Sequence, residues 1–233
     1  MNLNDKKRDV AREICRKYNV TLGVEALRAF ADILEPFKLL RGRNIVEEGQ
    51  VCEHMFYVER GLVLQHYKKN GISVTEHISC EGDIVVCIES FFLVEPSRIV
   101  VTMLEPSVLY GIPREAMMEL ARRSFELCNM IFKIYAKSLI ISQRKADVLR
   151  FESAKERYLR ILHESPEIIR RTPLHYVASF LQMTPETLSR VRTQVSEEEQ
   201  KKITEKNKDT WEAIGVLYLS LIHISEPTRL LSI

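Results

Sequence analysis

The spacing of apolar residues changes along the chain and separates regions of different secondary structure. Apolar residues recur at helical intervals over 22–34 until Pro36 stops the pattern, which predicts leading helices within residues 1–36. Between 37 and 113, short runs rich in Val, Ile, Tyr and Phe alternate with glycines, which predicts many short strands. Asn70-Gly71 predicts a tight hairpin, because both residues tolerate a positive φ. We therefore expect a small barrel or jelly roll, which hides its sheet edges.

Residues 114–151 contain no Gly or Pro and predict one or two long helices. One stripe follows heptad spacing and comprises Cys128, Phe132, Tyr135, Leu139, Ser142, Ala146 and Leu149. An adjoining stripe comprises Leu127, Ile131, Ile134 and Ile141. Two apolar faces require two partners, and we expect the barrel to cover one and the same helix of a second subunit to cover the other. The alternative is a single helix buried within its own domain.

Three compact helical patterns follow, over 155–164, 174–181 and 185–194, and predict a separate domain at 152–195. The last two are separated by a short turn, which is helix-turn-helix spacing. Thr184 is a good N-cap, and Pro185 suits the first helical position because its missing N–H would have no intrahelical partner there. Leu188 and Val191 lie three apart and can pack inward. The outward positions are Glu186, Thr187, Ser189, Arg190 and Arg192.

The outward face of the last helix carries groups that can recognise base edges. Arg190 can offer two parallel donors to guanine, and Glu186 can accept from a cytosine amino group. Over 137–195 there are 11 Lys and Arg against six Asp and Glu. This local excess of positive charge can neutralise phosphates. The alternative on spacing alone is two amphipathic helices whose charges face only water.

Several segments resemble one family of regulators. Residues 156–162, 166–169 and 173–192 resemble the DNA-binding end of Crp/Fnr-type transcription regulators, especially the Bacteroidetes-like branch. Upstream, the pairs Arg41-Gly42, Glu48-Gly49, Arg60-Gly61 and Gly82-Asp83 are similar to the glycine pattern of the cyclic-nucleotide-binding barrel of that superfamily. The resemblance covers roughly residues 24–195.

The resemblance implies an α+β chain with an N-terminal β-barrel or jelly-roll sensor domain (37–113). A long dimerisation helix (114–151) and a C-terminal winged-helix-type helix-turn-helix domain (152–195) would follow. The implied partners are double-stranded DNA, a second copy of the chain, RNA polymerase and a small-molecule effector that the sequence does not identify. A different hypothesis is a sensor or protein-interaction module, built on the same barrel, that does not bind DNA.

When the family's functional positions are transferred to this sequence, its base-reading residues fall on Glu186 and Arg190. The contacts to the DNA backbone fall on Thr184, Thr187, Ser189 and Arg192. Pro185 stands where relatives place an arginine, so the base preference at that step should differ. Gln182 stands where a glycine is common in the turn.

The implied effector pocket falls on Val86, Cys87, Ser97 and Arg98. Relatives that respond to cyclic AMP carry a Gly-Glu pair and an Arg-Ser pair at these places. Here the glutamate that would meet the ribose is absent, and Val86 adds bulk where the backbone must approach a phosphate. We therefore expect no response to cyclic AMP.

Composition excludes several other classes. Hydrophobic residues make up 45% and charged residues 28% of the chain, which excludes a wholly disordered protein. The net charge of +2 does not by itself indicate a polyanionic partner. Five cysteines without a C-x-x-C pair indicate reduced thiols. With no membrane-spanning run and no secretory signal, we expect a cytoplasmic protein.

We expect no cofactor, no metal and no enzymatic activity. The alternatives are a haem ligand at His77 and a redox pair of Cys80 with Cys87, but a lone histidine is usually structural. No His-x-His supports a cupin-like metal site, although cupins share the jelly roll. Residues 196–233 form a doubtful tail, since 219–229 resembles a translated sequencing adaptor. We expect the native C-terminus to differ there.

Overall fold

The computed structural model describes residues 2–202. The leading helices are α1 (Leu3–Lys17) and α2 (Val24–Asp32). The strands are β1 (Glu35–Leu39), β2 (Asn44–Val46), β3 (His54–Arg60), β4 (Val63–Lys69), β5 (Ile72–Ser79), β6 (Ile84–Val85), β7 (Val100–Met103) and β8 (Ser107–Pro113). The later helices are α3 (Ile88–Leu93), α4 (Arg114–Arg123), α5 (Phe125–Phe151), α6 (Ala154–Glu164), α7 (Pro166–Arg171) and α8 (Leu174–Phe180). A last helix, α9, begins at residue 185 and is described as far as residue 202.

The strands form two antiparallel four-stranded sheets, in the orders β1-β8-β3-β6 and β2-β7-β4-β5. This arrangement confirms the predicted α+β fold with an N-terminal jelly roll. The predicted hairpin joins β4 to β5, and Asn70 (φ 52°) and Gly71 (φ 78°) both have the positive φ that such a turn requires. Strand β5 lies at one edge of its sheet.

One apolar core joins the jelly roll to the helices α1, α2, α4 and α5. Its members include Ile14 of α1, Phe30 of α2, Tyr110 of β8 and Ile134 of α5, all almost fully buried. The 38 residues from 114 to 151 form two helices rather than one. Ser124 separates them, since its extended backbone ends α4 and its hydroxyl accepts a hydrogen bond from the Leu127 N–H at the start of α5.

The C-terminal helices begin with a capping box. The Ser153 hydroxyl accepts from the Glu156 N–H, and the Glu156 carboxylate accepts from the Ser153 N–H. Helix α7 lies where the sequence pattern predicted no helix, with Pro166 at its first position. No strand follows Pro113 within residues 2–202, so the domain predicted at 152–195 is helical and contains no wing strand.

By internal packing, the chain divides after Leu188 into two units. The described part of the second unit is helical throughout. No helix within residues 2–202 is both long and apolar enough to cross a membrane. The predicted tail beyond 202, with its adaptor-like string, also lies outside the described residues.

Candidate functional site

The turn between α8 and α9 is tight even though it contains no glycine. The Gln182 N–H donates to the Ser179 carbonyl (3.1 Å), and the Met183 N–H donates to the Ala178 carbonyl (3.0 Å). These two bonds form a Schellman motif, which needs a left-handed residue after the helix. Gln182 takes that conformation at φ 51°. Gln182 therefore adopts the left-handed conformation that a glycine would usually take here, and this conformation costs it some backbone strain.

Helix α9 begins as the sequence predicted. The Thr184 hydroxyl accepts from the Thr187 N–H at 3.2 Å, which makes Thr184 the N-cap, and Pro185 is the first helical residue. Leu188 is fully buried, and Val191 is 7% exposed. The inward side of the helix thus follows the predicted spacing.

The predicted DNA-contacting residues lie on the outward side of α9 or at its cap. Thr184 and Glu186 are exposed in the first unit, and Thr187 is partly buried there. Ser189, Arg190 and Arg192 are exposed in the second unit. The Thr184 and Thr187 hydroxyls are 3.2 Å apart.

The two apolar stripes of α5 differ in burial. Leu127, Ile131 and Ile134 of the adjoining stripe are buried in the core, while Ile141 is 45% exposed. Phe132 (68%) and Leu139 (61%) of the heptad stripe are exposed. The remaining members of the heptad stripe are exposed (Cys128, Ser142) or partly buried (Tyr135, Ala146, Leu149). A second apolar face of α5 is therefore left uncovered within this chain.

The four residues of the implied effector pocket do not share one surface. Val86 and Arg98 line a cavity, but the Ser97 hydroxyl bonds to the backbone of Ile99. The Cys87 side chain is buried in the apolar core between the sheets. Arg98 lies 5.0 Å from the centre of the Tyr67 ring and 3.9 Å from the Glu89 carboxylate.

The cavity has a volume of about 1030 Å³ and lies between the β4–β5 sheet face, α5 and the helices that follow α5. Its apolar lining includes Ile78, Ile99, Ile141, Ile161 and Phe180. Its polar lining includes Gln65, whose amide donates to the Val86 carbonyl (3.1 Å), together with His77 and Lys145. Burial and the nearby Lys145 lower the pKa of His77 to about 4, so its imidazole is neutral at pH 7.

Lys145 reaches the edge strand at an irregularity in the sheet. The register between β4 and β5 shifts between Gln65 and His66, and Glu76 is the extra residue on β5. The Glu76 carbonyl accepts a hydrogen bond from the Lys145 ammonium at 2.5 Å. On its other side, the ammonium lies 5.0 Å from the centre of the Phe180 ring of α8.

A second group of polar contacts joins α7 to the barrel. The Arg171 guanidinium donates to both carboxylate oxygens of Glu81 (2.8 and 2.9 Å) and to Glu105 (2.5 Å). Arg171 lowers the pKa of Glu81 to about 2, and a hydrogen bond from the Gly61 N–H contributes to the shift. Another contact joins α8 to the barrel: the Thr75 N–H of β5 donates to the Ser179 hydroxyl of α8 at 2.9 Å.

Sequence reasoning did not find Lys145, Arg171 or Glu81, because their importance comes from a bulge and from contacts between distant segments. Within residues 2–202 no group of His, Cys, Asp and Glu is arranged to hold a metal ion. Cys80 and Cys87, the alternative redox pair, are both free thiols. The Cys87 thiol lies 4.0 Å from the Ile99 carbonyl, and the Cys80 thiol lies 3.7 Å from the Asp83 carboxylate.

The fold places a jelly roll ahead of the long helix α5 and of the shorter helices that follow it. Residues 36–124 match the family model of the cyclic nucleotide-binding domain. No match was found among curated proteins.

Several solved structures share the fold. FixK2 from Bradyrhizobium japonicum has 18% identity and a TM-score of 0.61, with 72% of this chain and 86% of FixK2 covered. The c-di-GMP-responsive global regulator CLP of Xanthomonas campestris has 17% identity and a TM-score of 0.59, with 76% of this chain and 93% of CLP covered. CprK in complex with OCPA has 14% identity and a TM-score of 0.55, with 77% of this chain and 87% of CprK covered. At these identities the likeness is one of fold.

Proposed function

We propose that this chain is a sequence-specific DNA-binding transcription regulator of the Crp/Fnr type. The observation that carries the proposal is the sequence of α8, its Schellman turn and the capped start of α9. The turn that ends α8 is tight, Thr184 caps the next helix, and Leu188 is buried while Thr184 and Glu186 are exposed. This is the geometry with which helix-turn-helix proteins present a second helix to the major groove.

In the proposal, Glu186 and Arg190 read bases. An arginine fork matches the two acceptors of guanine, and a carboxylate accepts from the amino group of cytosine. Thr184, Thr187, Ser189 and Arg192 contact the DNA backbone, which positions the helix without specifying sequence. The excess of Lys and Arg over 137–195 favours a polyanion and makes the affinity dependent on salt.

The uncovered stripe of α5 supports a homodimer. Phe132 and Leu139 are large apolar side chains that a monomer would leave in water. The same helix of a second copy, packed about a two-fold axis, would bury them. Such a dimer reads a pseudo-palindromic site whose half-sites lie about 34–36 Å apart.

The barrel supplies the regulatory signal in this proposal, and RNA polymerase is the expected downstream partner. Cyclic AMP is not the expected signal. By the resemblance, Val86 stands where cyclic-AMP-responsive relatives carry a glycine, and Ser97 and Cys87 make contacts within the barrel.

The base-reading role is tested by Arg190→Ala in a DNA-binding assay at fixed salt. A duplex selected from a random library serves as the specific site. The variant should lose roughly 1–3 kcal/mol of discrimination while keeping weak nonspecific binding. Arg28→Ala is the matched control, because it removes the same charge from an exposed arginine of α2. Equal discrimination in both variants would refute the base-reading role. A library that enriches no motif would favour a protein-interaction module instead.

A further inference from the structure

Helix α3 and the residue that ends it present three consecutive apolar side chains to water. Phe92, Leu93 and Val94 are all exposed, and Leu93 is the most exposed of them at 61%. The preceding residue, Phe91, is fully buried in the core that the barrel shares with α1, α2, α4 and α5. The three exposed side chains therefore project from a segment that the core holds in place. None of them lines the cavity beside α5.

Val94 contributes to this surface in a backbone conformation that is costly for it. It ends α3 with φ 58° and ψ 36°, in the left-handed region that β-branched residues rarely adopt. The Ser90 hydroxyl supports the turn, since it accepts from the Cys52 N–H (2.8 Å) and donates to the Glu95 carbonyl (2.6 Å). A glycine or an asparagine would make the same turn at lower cost, so the turn alone does not account for a valine. Strained residues concentrate at functional sites.

The exposed side chains of α3 adjoin the uncovered stripe of α5. The Phe92 ring meets the Tyr135 ring edge-on, with the ring centres 4.4 Å apart. Tyr135 belongs to the heptad stripe and lies between the exposed Phe132 and Leu139. A helix packed on this stripe has its axis about 8–10 Å from that of α5, so its side chains also reach residues that flank the stripe. Helix α3 is such a flanking element.

We propose that α3 is a second contact surface for the other copy of this chain. In the dimer, Leu93 and Val94 of each copy pack against α5 of the partner, beside the seam that the two heptad stripes form. A second copy is the occupant because heptad spacing is typical of a seam between two like helices, and a two-fold axis presents the same flanking surface on both sides. The inference rests on the proposed homodimer and extends its interface from the long helix to the barrel.

The test measures the dimer dissociation constant of the full chain by sedimentation equilibrium. Leu93→Glu should raise this constant at least about tenfold, because its carboxylate would be buried against apolar side chains. Leu40→Glu is the matched control, since Leu40 is 69% exposed in the turn between β1 and β2. It should change the constant by less than about threefold. Leu139→Glu, on the heptad stripe itself, should abolish the dimer.

A second substitution separates the contact from the stability of the fold. Asparagine tolerates the left-handed conformation better than valine, so Val94→Asn should not destabilise the monomer. Urea unfolding in the monomeric Leu139→Glu background should therefore show an unchanged or higher midpoint. With Leu139 intact, Val94→Asn should raise the dissociation constant about threefold or more, because an apolar contact is lost. An unchanged dissociation constant would mean that Val94 shapes the turn and does not contact the partner.

The outcomes distinguish this inference from the proposed function. If Leu139→Glu abolishes the dimer while Leu93→Glu and Leu40→Glu have the same small effect, the α3 contact is refuted and the homodimer stands. The exposed side chains of α3 would then be left to a partner other than this chain. If the wild type is a monomer at every concentration, the α3 contact and the homodimer both fail. Enrichment of a DNA motif from the random library would still support DNA binding in either case.

Discussion

The jelly roll is covered by helices on two sides, and the two sides are held by different forces. Helices α1, α2, α4 and α5 share an apolar core with the barrel, in which Ile14, Phe30 and Ile134 are fully buried. Helices α7 and α8 are joined to it through Arg171, Lys145 and the Thr75–Ser179 hydrogen bond. Apolar burial is lost only on unfolding, whereas partly exposed polar contacts exchange readily with water. We therefore expect the first junction to persist for as long as the chain is folded, and the second to rearrange more readily.

The largest effect is expected from the apolar junction. Ile134→Ala should lower the free energy of unfolding by about 2–5 kcal/mol, because Ile134 is fully buried and its truncation leaves a cavity. The matched control is Leu139→Ala, five residues along the same helix and 61% exposed. Its intrinsic cost should be below about 0.5 kcal/mol.

Urea unfolding at several protein concentrations separates the two variants. The loss in Ile134→Ala should not depend on concentration. Leu139→Ala should instead weaken the concentration dependence that a dimer confers on stability. Similar losses of unfolding free energy in both variants would show that the two stripes of α5 do not differ in how they stabilise the protein.

A smaller effect is expected from the polar junction. Arg171→Met should raise the amide hydrogen-exchange rate of Thr75 roughly fivefold, corresponding to about 1 kcal/mol, because the Thr75 N–H is bonded to Ser179 of α8. The amide of Leu64, on the neighbouring strand β4 within the sheet, is the internal control and should not change. If both amides respond equally, Arg171 stabilises the whole barrel rather than the junction.

The two junctions also differ in how far the sequence could predict them. Helical spacing indicated the buried stripe of α5, and Asn70-Gly71 indicated the hairpin, because both features depend on neighbouring residues. The Glu76 bulge and the pairing of Arg171 with Glu81 depend on segments far apart in the chain, so no local pattern contains them. Helix α7 was not predicted, because its six residues are too few to show a helical period in the spacing of apolar positions. The cap at Thr184 was predictable from the sequence. The left-handed conformation of Gln182 was not, because that conformation costs energy for most residues other than glycine.

The smallest effect is a pH dependence confined to the polar junction. Arg171 lowers the pKa of Glu81 to about 2 from an ordinary value of 4.5, so the folded state favours the ionised carboxylate. A depressed pKa contributes stability that is complete above pH 4.5 and declines as the pH falls toward 2. Because Glu81 is 41% exposed, water screens the pair and the contribution should stay below about 1 kcal/mol.

Urea unfolding of the wild type and of Glu81→Gln between pH 7 and pH 3 measures this contribution. The difference in unfolding free energy between the two proteins should be constant down to about pH 5 and shrink below it. In the Arg171→Met background the same difference should be small at every pH, since the main cause of the shift is gone. A difference that grows on acidification would mean that the Glu81 carboxylate is destabilised in the folded state. The contact between α7 and the barrel would then have to be stabilised by interactions other than the Arg171–Glu81 pair.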